Sequence, residues 1–372
     1  MTMTLLMMLL AGTALPADFA LSANDGKQQL VEGRQIVPPD PAPDSLSVID
    51  LSGPRIVASV AVPASVIGPP RSVAIAPDRS FALVTSARRV EHGALVPDDL
   101  VSLVDLRGPK PVVSATLHAG AGAAGVAISP DGRTALVANR TEGTLSIFAI
   151  AGQALSPAGT IAIGPGTSPA QPLFYDGGRH VLLTRDGDHR ISVLAMVDGK
   201  MTPLSLTLAP GLRPYAIDTA GPRTHAVVGN IGGGGHDIDT IALILLDGAT
   251  PRVVDSVAVG LTPEGLKMSP DGRFVAITVN DGSNAAPGSP RYHKDGILQV
   301  WEIAGDRLRL VTQAPMGRWG QGVAWSRDGR TILAQAMDQR RIDVFAFDGK
   351  TLRHKPAIAM PAGPAAMATE DR

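Results

Sequence analysis

The chain has 372 residues, with 44% apolar content but only 3% aromatic residues, and its 33 Lys and Arg stand against 34 Asp and Glu. That balance removes any electrostatic case for nucleic acid or an anionic membrane as partner. The lack of cysteine excludes disulfides, zinc–thiolate sites, iron–sulfur clusters and thiol nucleophiles.

Near the start, Leu5-Leu6-Met7-Met8-Leu9-Leu10-Ala11 is a short apolar run followed by small residues, with a cleavage-like end between Ala17 and Ala20. Residues 1–20 therefore read as a secretory signal peptide, although the leading MTMT carries no Lys or Arg. The run is too short to span a bilayer as a stable helix. The expectation is a periplasmic or secreted chain with no membrane insertion after cleavage. Residues 21–43 are polar and proline-rich, ending in Pro38-Pro39-Asp40-Pro41-Ala42-Pro43, and read as an extended N-terminal segment. A strand pair follows, Ser45–Leu51 and Arg55–Val60, around the turn Ser52-Gly53-Pro54.

From there one unit recurs. Arg71–Ser86, Ala124–Arg140, Gln171–Arg185, Arg213–Asn230, Pro263–Asn280 and Gly320–Ala336 each read strand, tight turn, strand. The clearest turn is Ser269-Pro270-Asp271-Gly272, in which Pro presets φ, Asp bonds back to its own backbone and Gly supplies a positive φ. After it, Phe274-Val275-Ala276-Ile277-Thr278-Val279 is the β-branched, apolar run of a buried strand. A third strand follows every copy and a fourth follows most. The turn residues Asp78, Asp131, Asp271 and Asp328 mark repeats of about fifty residues, the range of propeller blades.

These observations predict an all-β fold: a seven-bladed β-propeller of four-stranded antiparallel blades, occupying 44–372 as one domain. The C-terminal Pro364–Asp371 matches the start of a repeat and then stops. Arg34–Val37, Ser45–Leu51 and Arg55–Val60 are expected to supply the other three strands, so that segment 21–43 contributes to a closing blade shared by the two ends. The rival arrangement is an open or six-bladed ring with unpaired tails.

The repeats SPDGRTALVAN and SPDGRFVAITVN, with SLSVIDL, resemble the Tyr-Val-Thr-Asn propeller repeats. The resemblance covers the chain from about residue 33 onward, with YDGGR and DTAGPR departing from it in the third and fourth copies. It implies the lactonase-like seven-bladed propeller family. That group includes lactonases of the 6-phosphogluconolactonase type, the heavy chain of methylamine dehydrogenase and surface-layer proteins, so the fold follows but no single function does.

Chemistry is expected where second-to-third-strand loops and inter-blade links open on one face. Three such loops are long: Ala87–Asp99, Asn230–Asp239 and Asp281–Asp295. They carry His92, His236 and His293, but no His-x-x-x-His spacing forces the histidines together, so no metal site is expected. The glycine run Gly232–Gly235 lacks the Lys-Ser/Thr of a phosphate loop and reads as a flexible loop. Strand ends facing the channel offer Arg71, Arg140, Arg185, Arg213, Tyr215, Asn139, Asn230, Asn280, Trp319 and Gln321 as ligand-binding candidates, the arginines suiting an anion. Glu264, with His236 and His293, is a candidate general base or acid; the competing role for all of these is strand capping and pairing between blades.

Two functions stand open on this reading. The first is a propeller that binds a small anionic ligand or a protein partner on its long-loop face, with no cofactor. The alternative is a lactonase-like hydrolase acting on a sugar or related lactone. An accessory subunit of a periplasmic dehydrogenase is a further analogy.

Overall fold

The computed structural model describes residues 14–197, 199–220 and 224–370. Among these, seven four-stranded antiparallel sheets surround a central channel, accompanied by one separate two-stranded ribbon. Blade 1 is the closing sheet. Its innermost strand is Gly363–Ala368, followed outward by Phe19–Asp25, Ser45–Asp50 and Arg55–Ala61. Blades 2 to 7 then run in chain order, with innermost strands Val73–Ile75, Ala123–Ile128, Pro169–Tyr175, Pro214–Thr219, Pro263–Met268 and Gly320–Trp325.

Burial follows strand position. Inner strands such as Gly320–Trp325 are buried throughout, whereas outer strands such as Arg55–Ala61 and Val112–His118 alternate exposed and half-buried residues. The core lies between neighbouring blades and is built mostly of aliphatic side chains. Where aromatics occur they cluster: Phe274, Trp325, Phe345 and Phe347 pack together between blades 6 and 7, with Phe347 edge-on to both Phe274 and Trp325.

The recurring turn has one construction. Ser269 Oγ donates to Asp271 Oδ1 at 2.6 Å, the Asp accepts from Arg273 N at 3.0 Å, and Phe274 N donates to Ser269 Oγ at 2.9 Å. Ser129 with Asp131 and Ser326 with Asp328 repeat these bonds, and Gly132, Gly272 and Gly329 all have φ near +68°. The Ser and Asp thus satisfy turn amides that the strands leave open, which explains why the motif repeats independently of any site.

The inner strands align one residue per blade around the channel: Arg71, Ala124, Ala170, Tyr215, Glu264, Gln321 and Ala365. Threonines on second strands fix this ring. Thr184 Oγ1 donates to the carbonyl of Tyr215 at 2.8 Å and Thr278 Oγ1 to that of Gln321 at 2.6 Å, each in the next blade; Thr85 bonds the carbonyl of Ala124 in the same way. The spacing is tight. A Cβ on Gly125 would sit 2.2 Å from the Ala170 carbonyl oxygen, and one on Gly265 would sit 2.1 Å from that of Gln321.

Segment 62–71, linking blade 1 to blade 2, crosses the channel. A Cβ built on Gly68 would meet Ala124 of blade 3 at 2.7 Å, Pro70 Cγ is 3.0 Å from where Gly265 of blade 6 would carry a Cβ, and Pro70 O accepts from Met367 N of blade 1 at 3.2 Å. Buried charges hold this segment in place. Asp25 accepts from Val66 N, Lys27 N and Gln28, while Lys27 bonds Asp44 at 2.7 Å and the Ala64 carbonyl.

The N-terminal half of the closing blade differs from expectation. The apolar run Leu5–Ala11 lies outside the described residues. Phe19–Asp25, divided in the sequence reading between a cleaved leader and a linker, is a fully buried strand paired on both sides, to Gly363–Ala368 and to Ser45–Asp50. Arg34–Val37 is not the blade strand. Arg34–Ile36 pairs with Gln29–Val31 in the separate ribbon, turning at Glu32-Gly33 with φ of 48° and 71°. The apolar content of Phe19-Ala20-Leu21 seats it in the core, whereas Arg34-Gln35-Ile36 is exposed throughout. Ala87–Asp99 is likewise ordered: the strands Phe81–Glu91 and Ala94–Asp105 extend as a hairpin through His92-Gly93, both at positive φ.

Among the described residues no helix is long and apolar enough to cross a membrane.

Candidate functional site

At the loop face, segment 62–71 and the 29–36 ribbon roof the side of the channel bounded by blades 7, 1 and 2. Leu30 of the ribbon packs with Val66, Trp319, Met337 and Ala365. Blades 3 to 6 carry the polar groups of the mouth.

Strand ends deliver those groups. Arg140 follows the second strand of blade 3, and Asp186 the second strand of blade 4. Arg213 precedes the first strand of blade 5, and Tyr215 and Glu264 are the ring residues of blades 5 and 6. Asp186 Oδ2 accepts from Arg140 Nη2 at 2.8 Å and from Arg213 Nη2 at 3.2 Å. Arg140 also lies over the Tyr215 ring, 5.4 Å from its centroid. Asn280 Nδ2 donates to Glu264 Oε2 at 3.3 Å. Arg213 has a φ of +55°, and Ser168, Thr262 and Trp319 at the same place in their blades have φ of +47°, +58° and +53°, so the lip residue is left-handed in four successive blades.

The electrostatics separate two carboxylates. Burial lifts the Glu264 carboxyl to about 7, against the pull of Arg213 and Arg140 and with the push of Asp186. For Asp186 burial acts in the same upward direction, but Arg140, through charge and hydrogen bond, together with Ser168 and Arg213 holds the pKa below the ordinary value. Burial and the nearby Glu264 push the Tyr215 phenol up, so it stays a neutral O–H donor. Burial opposes the charge on Arg140, but Tyr215, Asp186 and Glu264 keep it cationic. One guanidinium nitrogen of Arg140, Nη1, has no partner in the protein. The mouth therefore offers a carboxyl able to gain and lose a proton near neutrality, a neutral phenol and two fixed cations.

Arg71 is buried and pairs with Asp218 at 3.8 Å, where both line a cavity of about 590 Å³ at the opposite, turn-bearing end of the channel. Arg185 pairs within its own blade, to Asp188 of the adjoining turn at 3.0 Å and Ser192 of the third strand at 2.8 Å. Asn139 and Asn230 brace their blades, the first on Thr144 and Ser146, the second on Thr240 and the Pro210 carbonyl. Trp319 is 4% exposed in the apolar cluster beneath Leu30. Gln321 is fully buried on the ring beside Glu264. His293 is exposed and bonds Asp281 at 2.8 Å, and His236 is exposed in the glycine-rich loop. The two loops do meet, since Arg291 bonds the carbonyls of Gly234 and Gly235. Asp186 and segment 62–71 escaped the sequence reading. Asp186 sits in the ordinary-looking turn Asp186-Gly187-Asp188, and no local pattern reveals that a link crosses a channel.

Residues 65–211 match the family described as lactonase, 7-bladed β-propeller. No curated protein matches. Solved structures do. Two are named "putative 6-phosphogluconolactonase". The Bacteroides uniformis protein has 15% identity and a TM-score of 0.74, covering 95% of this chain and 99% of its own. The Bacteroides fragilis protein has 15% identity and a TM-score of 0.72, covering 95% and 98%. The periplasmic gluconolactonase PpgL of Pseudomonas aeruginosa has 15% identity and a TM-score of 0.67, covering 95% and 99%. At such identity these structures speak for the fold. Repeat and blade architecture make the chain a seven-bladed β-propeller, and its residues 65–211 match the lactonase family of that fold.

Proposed function

We propose that the chain is a lactone hydrolase acting on a sugar or related lactone at the mouth formed by blades 3 to 6. The observation that carries this is the Glu264 carboxyl, lifted to about 7 and set among Arg140, Arg213 and Tyr215. Half-ionised near neutrality, Glu264 takes a proton from water as the water oxygen attacks the lactone carbonyl. The acyl oxygen gains charge beside Arg140, whose Nη1 is open, and Arg213. When the ring C–O bond breaks, the leaving alkoxide takes the proton back from Glu264 and the product is an open hydroxy acid. Asp186 keeps both guanidinium groups aligned and takes no proton.

The lactonase family match and the gluconolactonase neighbours support the substrate class. PpgL, with the apolar run Leu5–Ala11, supports placing the chain in the periplasm or outside the cell. The test is hydrolysis of a panel of sugar and acyl lactones, with and without chelator, by the natural chain and by Glu264→Gln. Turnover that falls at least about 100-fold in the variant is expected. Absence of turnover on every lactone refutes the hydrolase; saturable binding of a sugar-acid anion in that case identifies a binding module instead.

A further inference from the structure

Gln321 stands out among the ring residues. It is 0% exposed, and neither its amide nitrogen nor its amide oxygen has a partner in the protein. A buried amide left so pays its full desolvation cost, and interiors commonly resolve this with a water making about three hydrogen bonds. Glu264 occupies the same ring position in the neighbouring blade. Thr278 Oγ1 reaches the backbone carbonyls of both Gly265, at 3.3 Å, and Gln321, at 2.6 Å, so the two ring residues are fixed relative to each other. Asn280 is also 0% exposed. It spends its Nδ2 on Glu264, and its Oδ1 has no partner in the protein.

We infer that Gln321 is a positioning residue that holds the hydrolytic water against Glu264. The inference rests on the lactone-hydrolase reading. Donors and acceptors balance: the water accepts from Gln321 Nε2, donates one O–H to Glu264, and donates the other to Gln321 Oε1 or Asn280 Oδ1. One lone pair remains, and it faces the channel. As that lone pair forms the bond to the lactone carbonyl carbon, the proton on the Glu264 side passes to the carboxylate, while the Gln321 amide fixes the oxygen in line. Segment 62–71 borders this place with Pro70 against Gly265.

The experiment compares Gln321→Leu and Gln321→Asn with the natural chain. For Gln321→Leu, kcat is expected to fall about 100-fold with KM changed less than about twofold, since the residue serves the attacking water and not the bound lactone. Gln321→Asn, which keeps donor and acceptor one methylene back, is expected to recover part of the loss. The acid limb of the pH–rate profile is expected to move in Gln321→Leu, because the carboxyl loses the water that bridges it. A kcat within about threefold of natural, with Glu264→Gln inactive, overturns this inference and leaves the hydrolase reading standing. A high-resolution crystal structure of the natural chain gives a readout free of turnover. Density bridging the Gln321 amide and the Glu264 carboxyl is expected. Its absence overturns the inference even where the Leu variant fails to fold or no lactone is hydrolysed.

Discussion

Arg140 in blade 3 donates a 2.8 Å hydrogen bond to Asp186 in blade 4, closing the blade boundary at the mouth with a largely buried ion pair. Arg213 reaches the same carboxylate oxygen, so one acid orders both cations that face Glu264. Asp186→Asn leaves Arg140 buried with its closest counter-charge gone. Breaking a buried pair from one side typically costs about 3–5 kcal/mol, and the low end is expected here because Glu264 and Tyr215 still face the guanidinium. Urea unfolding measures this; an unchanged midpoint denies the pair any structural weight. The substitution also removes a negative charge that pushes the Glu264 pKa up, so the acid limb of the pH–rate profile is expected to move to lower pH.

Glu264 makes a second, independent statement about pH. Its folded-state value of about 7 lies above the 4.5 of an unperturbed glutamate. Between these values the unfolded chain releases the proton while the folded chain keeps it. Stability therefore falls as pH rises through that window and stays low above it, a difference of about 3 kcal/mol. Glutamine has no such dependence. The melting temperature of Glu264→Gln is expected to equal that of the natural chain near pH 4 and to exceed it by about 4 °C at pH 8 for a chain of this size. A gap that does not change with pH would mean that the carboxyl ionises as if in water.

The propeller was legible because each blade states it again in its own strands and turns. Ser269, Asp271 and Gly272 perform a local task, amide satisfaction and a positive φ, and local tasks leave local patterns. Glu264, Tyr215 and Gln321 could be singled out as strand-end residues facing the channel, since position within the repeat gives direction. What the repeat cannot give is which of those residues meet. Arg71 has the same ring position as Glu264, yet it pairs with Asp218 towards the other end of the channel. Asp186 joins Arg140 and Arg213 only because strands from three blades converge, a relation with no sequence spacing to mark it. The closing strand Phe19–Asp25 was hidden differently: its seven residues lack the turn motif, and they overlap a stretch that reads equally well as the end of a leader.

That strand has a consequence for where the chain can be shortened. Asp18 Oδ2 accepts from Arg327 N at 2.9 Å, the Pro16 carbonyl accepts from Arg79 at 3.0 Å, and Phe19 and Ala20 are buried between neighbouring blades. A chain starting at residue 14 keeps all of these. One starting at residue 21, as cleavage after Ala20 would produce, loses them and shortens the pairing with Ser45–Asp50 by two residues. The longer chain is expected to match the full-length protein in thermal unfolding, and the shorter one to melt at least about 5 °C lower or to aggregate through the exposed edge of blade 1. Equal melting of the two would show that the closing blade does not need its first strand intact.

Gly265 joins scaffold and mouth most directly. It follows Glu264, and a Cβ there would sit 2.1 Å from the Gln321 carbonyl oxygen, 2.9 Å from the Gln321 carbonyl carbon and 3.0 Å from Pro70 Cγ. Two of those atoms are backbone and the third belongs to a rigid ring, so no side-chain rotation relieves the contact. Gly265→Ala must part blade 6 from blade 7 and break the bond from Thr278 to Gln321. A loss of about 2–3 kcal/mol is expected in denaturant unfolding, large for the addition of one methyl group. Gly288→Ala, at a site where an added Cβ meets nothing within 4 Å, is the control and is expected to change stability by less than about 0.5 kcal/mol. Because the displacement moves Gln321 relative to Glu264, Gly265→Ala is also expected to lose lactone turnover at temperatures where it remains folded, with Gly288→Ala retaining it. If both variants unfold at the natural denaturant concentration, the first strands of blades 6 and 7 are not in the close contact that sets the geometry of the mouth.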